Sequence, residues 1–182
     1  MTSEILPKFI LDNMLGKLAK WLRILGFDTL YPKYAKDVEL VFISVSENRI
    51  LLTRDTGIIK RKGLKNYLFI HSDFWKDQLI EVIEAFHLKD VLSNKRFFTI
   101  CPICNEELKP IEKDKVIGRV PHYVFCTITE FSVCPSCKKI YWKGTHIEKV
   151  KGILDYLSSK TSIPGSVPFS KNSNEAPPPV EI

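Results

Sequence analysis

Four cysteines constrain this chain more than any other feature: Cys101-Pro102-Ile103-Cys104 and Cys134-Pro135-Ser136-Cys137. Each Cys-x-x-Cys sets two thiolates on one tight turn, and two such turns can present four sulfurs tetrahedrally at about 2.3 Å from one Zn²⁺. Four thiolates leave no open position, so Cys101, Cys104, Cys134 and Cys137 predict a structural zinc rather than a catalytic one. The surrounding segment, Phe97 to about His146, is too small for a strong apolar core, and a metal cross-link supplies what packing cannot. Redox chemistry of the thioredoxin kind also uses Cys-x-x-Cys, but two copies in one short segment fit a zinc ribbon better. The fifth cysteine, Cys126, lies in an apolar run with Val124 and Phe125 and reads as a buried thiol.

The remainder of the 182 residues divides around this segment. Phe9 to Leu11 read as a buried strand ending at Asp12. Leu15, Leu18, Ala19, Leu22 and Leu25 then recur at helical spacing until Gly26 stops the helix. Phe27–Tyr31, Ile50–Thr53 and Tyr67–Ile70 read as further strands, with helices at Val38–Val45 and from Trp75 to Phe86. Alternation of this kind predicts an α/β domain with a parallel sheet, because parallel neighbours need crossover connections. In the ribbon, Tyr123–Thr127 and Ile140–Trp142 look like strands. The expected organisation is an α/β domain over 7–93, a zinc ribbon with a C-terminal helix over 97–158, and a disordered Ser-, Pro- and Asn-rich tail over 161–182. No apolar run approaches the roughly 20 residues needed to cross a bilayer. Met1–Pro7 lacks the pattern of a secretory signal, so the expected location is cytoplasmic. The formal net charge of +6 favours polyanionic partners.

The acids carry the chemistry. Asp12 and Asp55 each follow a strand and would emerge at the carboxyl edge of the sheet, where open α/β sheets bind ligands. Asp37 opens the second helix, and Asp73 precedes the Trp75–Phe86 helix; both also suit helix capping. Several carboxylates aimed at one edge repel unless a hard cation such as Mg²⁺ or Mn²⁺ neutralises them. Capping and ordinary surface charge are the competing readings. Lys17, Lys20 and Arg23 share the polar face of the first helix, Arg54 precedes Asp55, and Lys60, Arg61, Lys62 and Lys65 follow it. The dense 60–65 cluster suits nucleic-acid backbone contact. Tyr141 and Trp142 read as core aromatics of the ribbon, with base stacking the rarer use.

Three strings together are specific: Asp12-Asn13-Met14-Leu15-Gly16-Lys17-Leu18-Ala19-Lys20-Trp21-Leu22-Arg23 with Leu25-Gly26; Arg49-Ile50-Leu51-Leu52-Thr53-Arg54-Asp55; and Cys134 to Cys137 through Tyr141-Trp142-Lys143-Gly144-Thr145-His146. From Lys8 to Val150 the chain resembles the PIN-like RNases with a C-terminal zinc ribbon, the family named after the C-terminal region of the Mut-seven exonuclease. The resemblance implies a PIN-like (Rossmann-like) domain in which Asp12, Asp37 and Asp55 hold Mg²⁺ or Mn²⁺ and cleave RNA phosphodiester bonds. Lys17, Arg54, Lys60, Arg61, Lys62 and His146 are the candidate substrate contacts, and tRNA, rRNA or the ribosome the candidate partners. Asp73 matches only loosely, ahead of Gln78-Leu79, and Val41–Ser46 departs from the family's Ala-rich, charged helix. The alternative is a non-catalytic RNA- or ribosome-binding protein. A phosphoacceptor receiver fits less well, because Asn13 rather than an acid follows Asp12; a toxin of the PIN type would lack the ribbon.

Overall fold

Phe9, Ile10 and Leu11 are fully buried, as expected of a parallel strand covered on both faces. They form β1 (Phe9–Leu11), which is flanked in the sheet by β2 (Thr29–Leu30) and β3 (Ile50–Thr53), with β4 (Tyr67–Phe69) beyond β3. All pairings are parallel, in the order β2-β1-β3-β4. Side-chain alternation splits the core in two. Phe9, Leu11 and Leu52 pack with α1 (Gly16–Ile24) and α4 (Trp75–Ala85), whereas Ile10 and Leu51 pack with α2 (Asp37–Ser46) and α3 (Thr56–Ile59). Gly26 ends α1 at φ 92°, and the Phe27 N–H returns to the Leu22 carbonyl at 3.0 Å, a left-handed closure that favours glycine. The computed structural model describes residues 6–89, 92, 97–142 and 146–160; the tail expected over 161–182 lies outside the described residues.

The ribbon is an antiparallel sheet of β5 (Lys109–Ile111), β6 (Phe131–Val133) and β7 (Ile140–Trp142). Residues 123–127, strand-like in composition, belong instead to α5 (His122–Thr127). Pro121 begins the turn by accepting the Phe125 N–H at 3.0 Å; Val124 turns inward onto Val116 and Phe131, and half-buried Phe125 packs against the same cluster. Tertiary packing of these two residues outweighs strand propensity here. The same turn leaves Cys126 exposed rather than buried, 3.7 Å from His122 Nδ1. The last helix, α6 (His146–Lys160), lies against α4: Val150 and Ile153 join the first core, and Tyr156 Oη donates to Asp77 Oδ1 at 2.7 Å. No helix among the described residues is long and apolar enough to cross a membrane.

The first cysteine turn docks on the sheet edge. Arg23, expected on the solvated face of α1, is buried: Nε donates to the Thr29 carbonyl at 2.8 Å, and Nη1 to the carbonyls of Pro102 and Ile103 at 3.2 and 2.9 Å. Helical spacing places it beside Lys20, but its acceptors come from β2 and from the distant ribbon. Asn105, held at φ 64°, accepts the Thr29 N–H at 2.7 Å and donates to Asp28 Oδ1 at 2.6 Å. Arg49 closes the far side of Asp28 with two bonds of 2.8 and 3.1 Å. Burial pushes the Asp28 carboxyl up, but the bonds from Arg49 and then Asn105 outweigh it and hold the carboxyl below its ordinary range.

Arg23→Ala is therefore expected to cost about 2–3 kcal/mol in chemical denaturation, whereas Lys20→Ala should stay within about 0.5 kcal/mol. Equal effects would remove the anchoring role. Because the Asp28 pKa falls on folding, its contribution is present above the unfolded value and lost as pH drops through the folded one. Stability should decline below about pH 4, and Asp28→Asn should flatten that part of the profile.

Candidate active edge and metal centre

The strand order places β1 and β3 side by side with their following helices on opposite faces, the switch point at which open sheets form a crevice. Asp12 and Asp55 stand at the carboxyl ends of these two strands. Asp12 is 4% exposed and accepts three hydrogen bonds: Met14 N–H on Oδ1 at 2.9 Å, and Thr53 Oγ1 and Arg54 N–H on Oδ2 at 2.5 and 2.9 Å. Thr53 Oγ1 also accepts the Asp55 N–H at 2.9 Å, so one buried hydroxyl couples the two strand ends. Asp55 is exposed and accepts the Gly57 N–H at 2.6 Å, capping α3. Asp37 opens α2, where Glu39 rather than Asp37 accepts the free Lys36 N–H, at 2.9 Å.

Asp37 pairs with Arg61 at 2.8 Å and Asp73 with Arg54. Neither Asp37 nor Asp73 supplies a side-chain N-cap; Phe74 holds that place before α4. Arg54 and Arg61 are thus engaged by acids, while Lys17, Lys60 and Lys62 are exposed without a polar side-chain partner among the described residues. The His146 side chain lies outside the described residues. Among the described residues, Asp12, Asp37 and Asp55 do not form a group with all ligand atoms within 4.8 Å; only the four cysteines do.

Two residues that the sequence reading passed over shape this edge. Thr53 is buried between Asp12 and Asp55, and its place inside Thr53-Arg54-Asp55 was the available signal. Tyr31 donates to the Asn13 carbonyl at 2.8 Å, and burial followed by the nearby Asp12 carboxylate pushes its phenol above the ordinary value. A Cβ on Gly16 would meet the Tyr31 hydroxyl oxygen at 2.9 Å, so glycine starts α1 where the two segments approach. Behind the edge, buried Gln78 donates to the carbonyls of Ser72 and Asp73 at 3.0 and 3.3 Å. Glu81 accepts the N–H groups of His71 and Ser72 at 2.9 and 2.8 Å. The Gln78-Leu79 pair thus carries a loop-holding residue.

The cysteine turns repeat one geometry. Asn105 and Lys138, both left-handed, return their N–H groups to Cys101 and Cys134 at 3.0 Å. The Cys104 and Cys137 N–H groups point at the Cys101 and Cys134 sulfurs, at 3.5 and 3.4 Å. Tyr141 Oη lies 3.2 Å from Cys101 Sγ, which commits Tyr141 to this centre, and Trp142 packs edge-on to Phe131 at 6.4 Å. Burial opposes ionisation of Cys101, but the Tyr141 hydroxyl and the turn N–H groups outweigh it and bring the thiol down to about 7. A tetrahedron with 2.3 Å arms has edges of about 3.8 Å; Cys101 and Cys137 sulfurs are 3.8 Å apart. The four cysteines could hold a metal ion such as zinc.

The family model described as Mut7-C RNAse domain matches residues 7–154. No curated protein matches the chain, and no solved structure does. The matched span runs from β1 through both cysteine turns into α6, and on it the chain belongs to the Mut7-C RNAse domain family.

Proposed function

We propose that this protein is a divalent-metal-dependent ribonuclease whose active edge is built on Asp12, Asp37 and Asp55, with a structural zinc in the ribbon. The observation that carries the reading is the pairing of Asp12 and Asp55 through Thr53 at the switch point, in a chain of an RNase family. The donor set is all carboxylate, which suits Mg²⁺ or Mn²⁺. Mg²⁺ keeps several waters and takes one or two carboxylates directly, so a partly hydrated ion does not need all three acids within 4.8 Å of one another. When bound, that ion supplies an activated water and neutralises charge on the scissile phosphate. The chain's own contribution is positioning. Three donors fix the Asp12 carboxylate, and Thr53 ties its orientation to Asp55. Arg54 and Arg61 sit in exposed ion pairs, worth about 0–1 kcal/mol each, and can exchange Asp73 and Asp37 for RNA phosphates at little cost. Lys17, Lys60 and Lys62 extend the same basic surface, and the expected setting is cytoplasmic.

A non-catalytic RNA- or ribosome-binding protein is the second reading. The observation favouring it is that Asp37 and Asp55 already serve an ion pair and a helix cap.

The informative probe is Asp55→Asn, because asparagine caps a helix as well as aspartate. Zinc-loaded protein should cleave single-stranded or structured RNA with Mg²⁺ or Mn²⁺, and Asp55→Asn should lose at least ~100-fold with its thermal midpoint unchanged. Omission and re-addition of the divalent ion must replace chelation, since EDTA attacks the thiolate centre as well. RNA binding without cutting in the unsubstituted protein would decide for the second reading. Asp12→Asn should also abolish cleavage, but it turns an amide NH₂ toward a backbone N–H and should cost about 1–3 kcal/mol.

The ribbon should carry one zinc per chain. Its removal, or Cys134→Ser, is expected to expose the Thr29 and Phe98 amides to hydrogen exchange, because both donate across the ribbon contact; protection unchanged in the metal-free protein would make the zinc dispensable for the fold.

A further inference from the structure

We propose that the cleft between α1 and the ribbon binds one unstacked nucleobase of the RNA, with its phosphates on Lys20 and Lys139. The ligand class rests on the ribonuclease reading; the site itself rests on different residues.

The cleft has a volume of about 410 Å³ and is walled mainly by apolar and aromatic groups, with Trp21, Ile103, Tyr141 and Trp142 among them. That size falls in the ~300–1,000 Å³ range of small-ligand sites, which combine apolar walls with a few polar groups. Among the described residues, its charged lining residues are Lys20 and Lys139. Both are exposed, and neither has an ion-pair partner among the described residues. An aromatic cleft with unneutralised cations suits a flat ring attached to an anion. In single-stranded RNA recognition, stacking platforms and a basic track supply these two halves.

The walls are held rigid by contacts already described. Trp21 is stacked on Trp75 with centroids 5.1 Å apart and planes 3° from parallel. Ile103 belongs to the first cysteine turn, whose carbonyls are fixed by Arg23, and Tyr141 is tied to Cys101. A preformed cleft loses little entropy on binding.

The position fits a strand that also reaches the acids. Lys17 and Lys20 are neighbours on α1, and the helix rises about 6 Å from Gly16 to Lys20. The residues just before its first turn adjoin Asp12, whose Oδ1 accepts the Met14 N–H. One backbone running along α1 therefore touches Lys20 at the cleft and Lys17 near the acidic edge. The cleft holds the strand, and the edge acts on it.

The test is fluorescence polarisation with zinc-loaded full-length protein and a short fluorescein-labelled single-stranded RNA, with no Mg²⁺ or Mn²⁺ added. Ile103 is 54% exposed, and only its backbone enters the fold's hydrogen bonds, so Ile103→Glu places a charge in the cleft of a folded protein. It should weaken binding about tenfold or more. The pair Lys20→Gln with Lys139→Gln should lower the slope of log affinity against log salt by about 1.4. The same RNA made abasic should bind the unsubstituted protein weakly and be indifferent to Ile103→Glu.

Binding unchanged in Ile103→Glu, with its thermal midpoint intact, overturns the proposal. So does equal affinity for the abasic strand. A free nucleoside monophosphate that competes as well as the strand would make the cleft a nucleotide site and overturn its role in holding RNA. Cleavage is a separate readout: loss of cutting in Asp55→Asn with polarisation unchanged supports both readings. Base-dependent binding in a protein that never cuts sustains the cleft while removing the nuclease.

Discussion

The contact between the first cysteine turn and the edge strand β2 ties the ribbon to the parallel sheet. That strand is two residues long, and an edge so short has little pairing of its own. Its open side is closed by Asn105, which takes the Thr29 N–H, and by Arg23, which joins the Thr29 carbonyl to the carbonyls of Pro102 and Ile103. The turn in turn has few apolar contacts, and its shape follows from a fourfold sulfur centre. Sulfur centre, turn, edge strand and sheet therefore form a series in which each member supplies what the next lacks. Arg23 shows the cost of that design. Burial lowers its pKa, an effect that the Cys101, Cys104 and Asp28 charges only partly offset. A guanidinium in this place is tolerable because its donors meet fixed carbonyls.

How much of this was legible in the sequence depended on whether the signal was local. β1, β3 and β4 were readable because strands covered on both faces are continuous apolar runs. The cysteine turns were readable because ligand spacing is a local rule. Asp12 and Asp55 at strand ends followed directly. Arg23 was not readable: the helix face it shares carries Lys17 and Lys20, and two of the three carbonyls that bury it, those of Pro102 and Ile103, lie about 80 residues away. The same holds for Arg54 with Asp73 and Arg61 with Asp37, partners brought together only by the fold. α2 was readable as a helix at Val38–Val45, and the structure has it at Asp37–Ser46, but its buried face was hidden for a different reason. Val38, Phe42 and Val45 face outward while Leu40 and Val41 face the core, so apolar residues surround the helix and periodicity cannot choose a side.

The candidate site repeats that division. Residue types and strand ends announced the carboxylates, but the hydrogen bonds that orient them were hidden. A sequence reading treats Asp12→Asn as a clean isostere. With donors on both oxygens, it is not one: Oδ2 faces two and Oδ1 a third, and no placement of an amide NH₂ satisfies them all. Asp55, with a single capping bond, can lose its charge and keep its place. Burial and donor number decide which acid separates chemistry from folding.

On the proposed reading two metals share one small chain, neither takes the other's place, and ligand hardness keeps them apart. Thiolates select a soft or borderline ion such as zinc, while carboxylates and water suit hard ions. The sulfur centre is largely buried and closed, with its ligand atoms within 4.8 Å. The acids of the proposed carboxylate site are not gathered within 4.8 Å among the described residues, and an ion there keeps room for water and phosphate oxygens. An ion held tightly in the first arrangement contributes to folding; an ion held loosely in the second can meet a substrate. On the proposed reading, the ribbon's metal braces the sheet from its β2 edge, and the acids at the strand ends inherit a rigid base from which exchangeable ions can act.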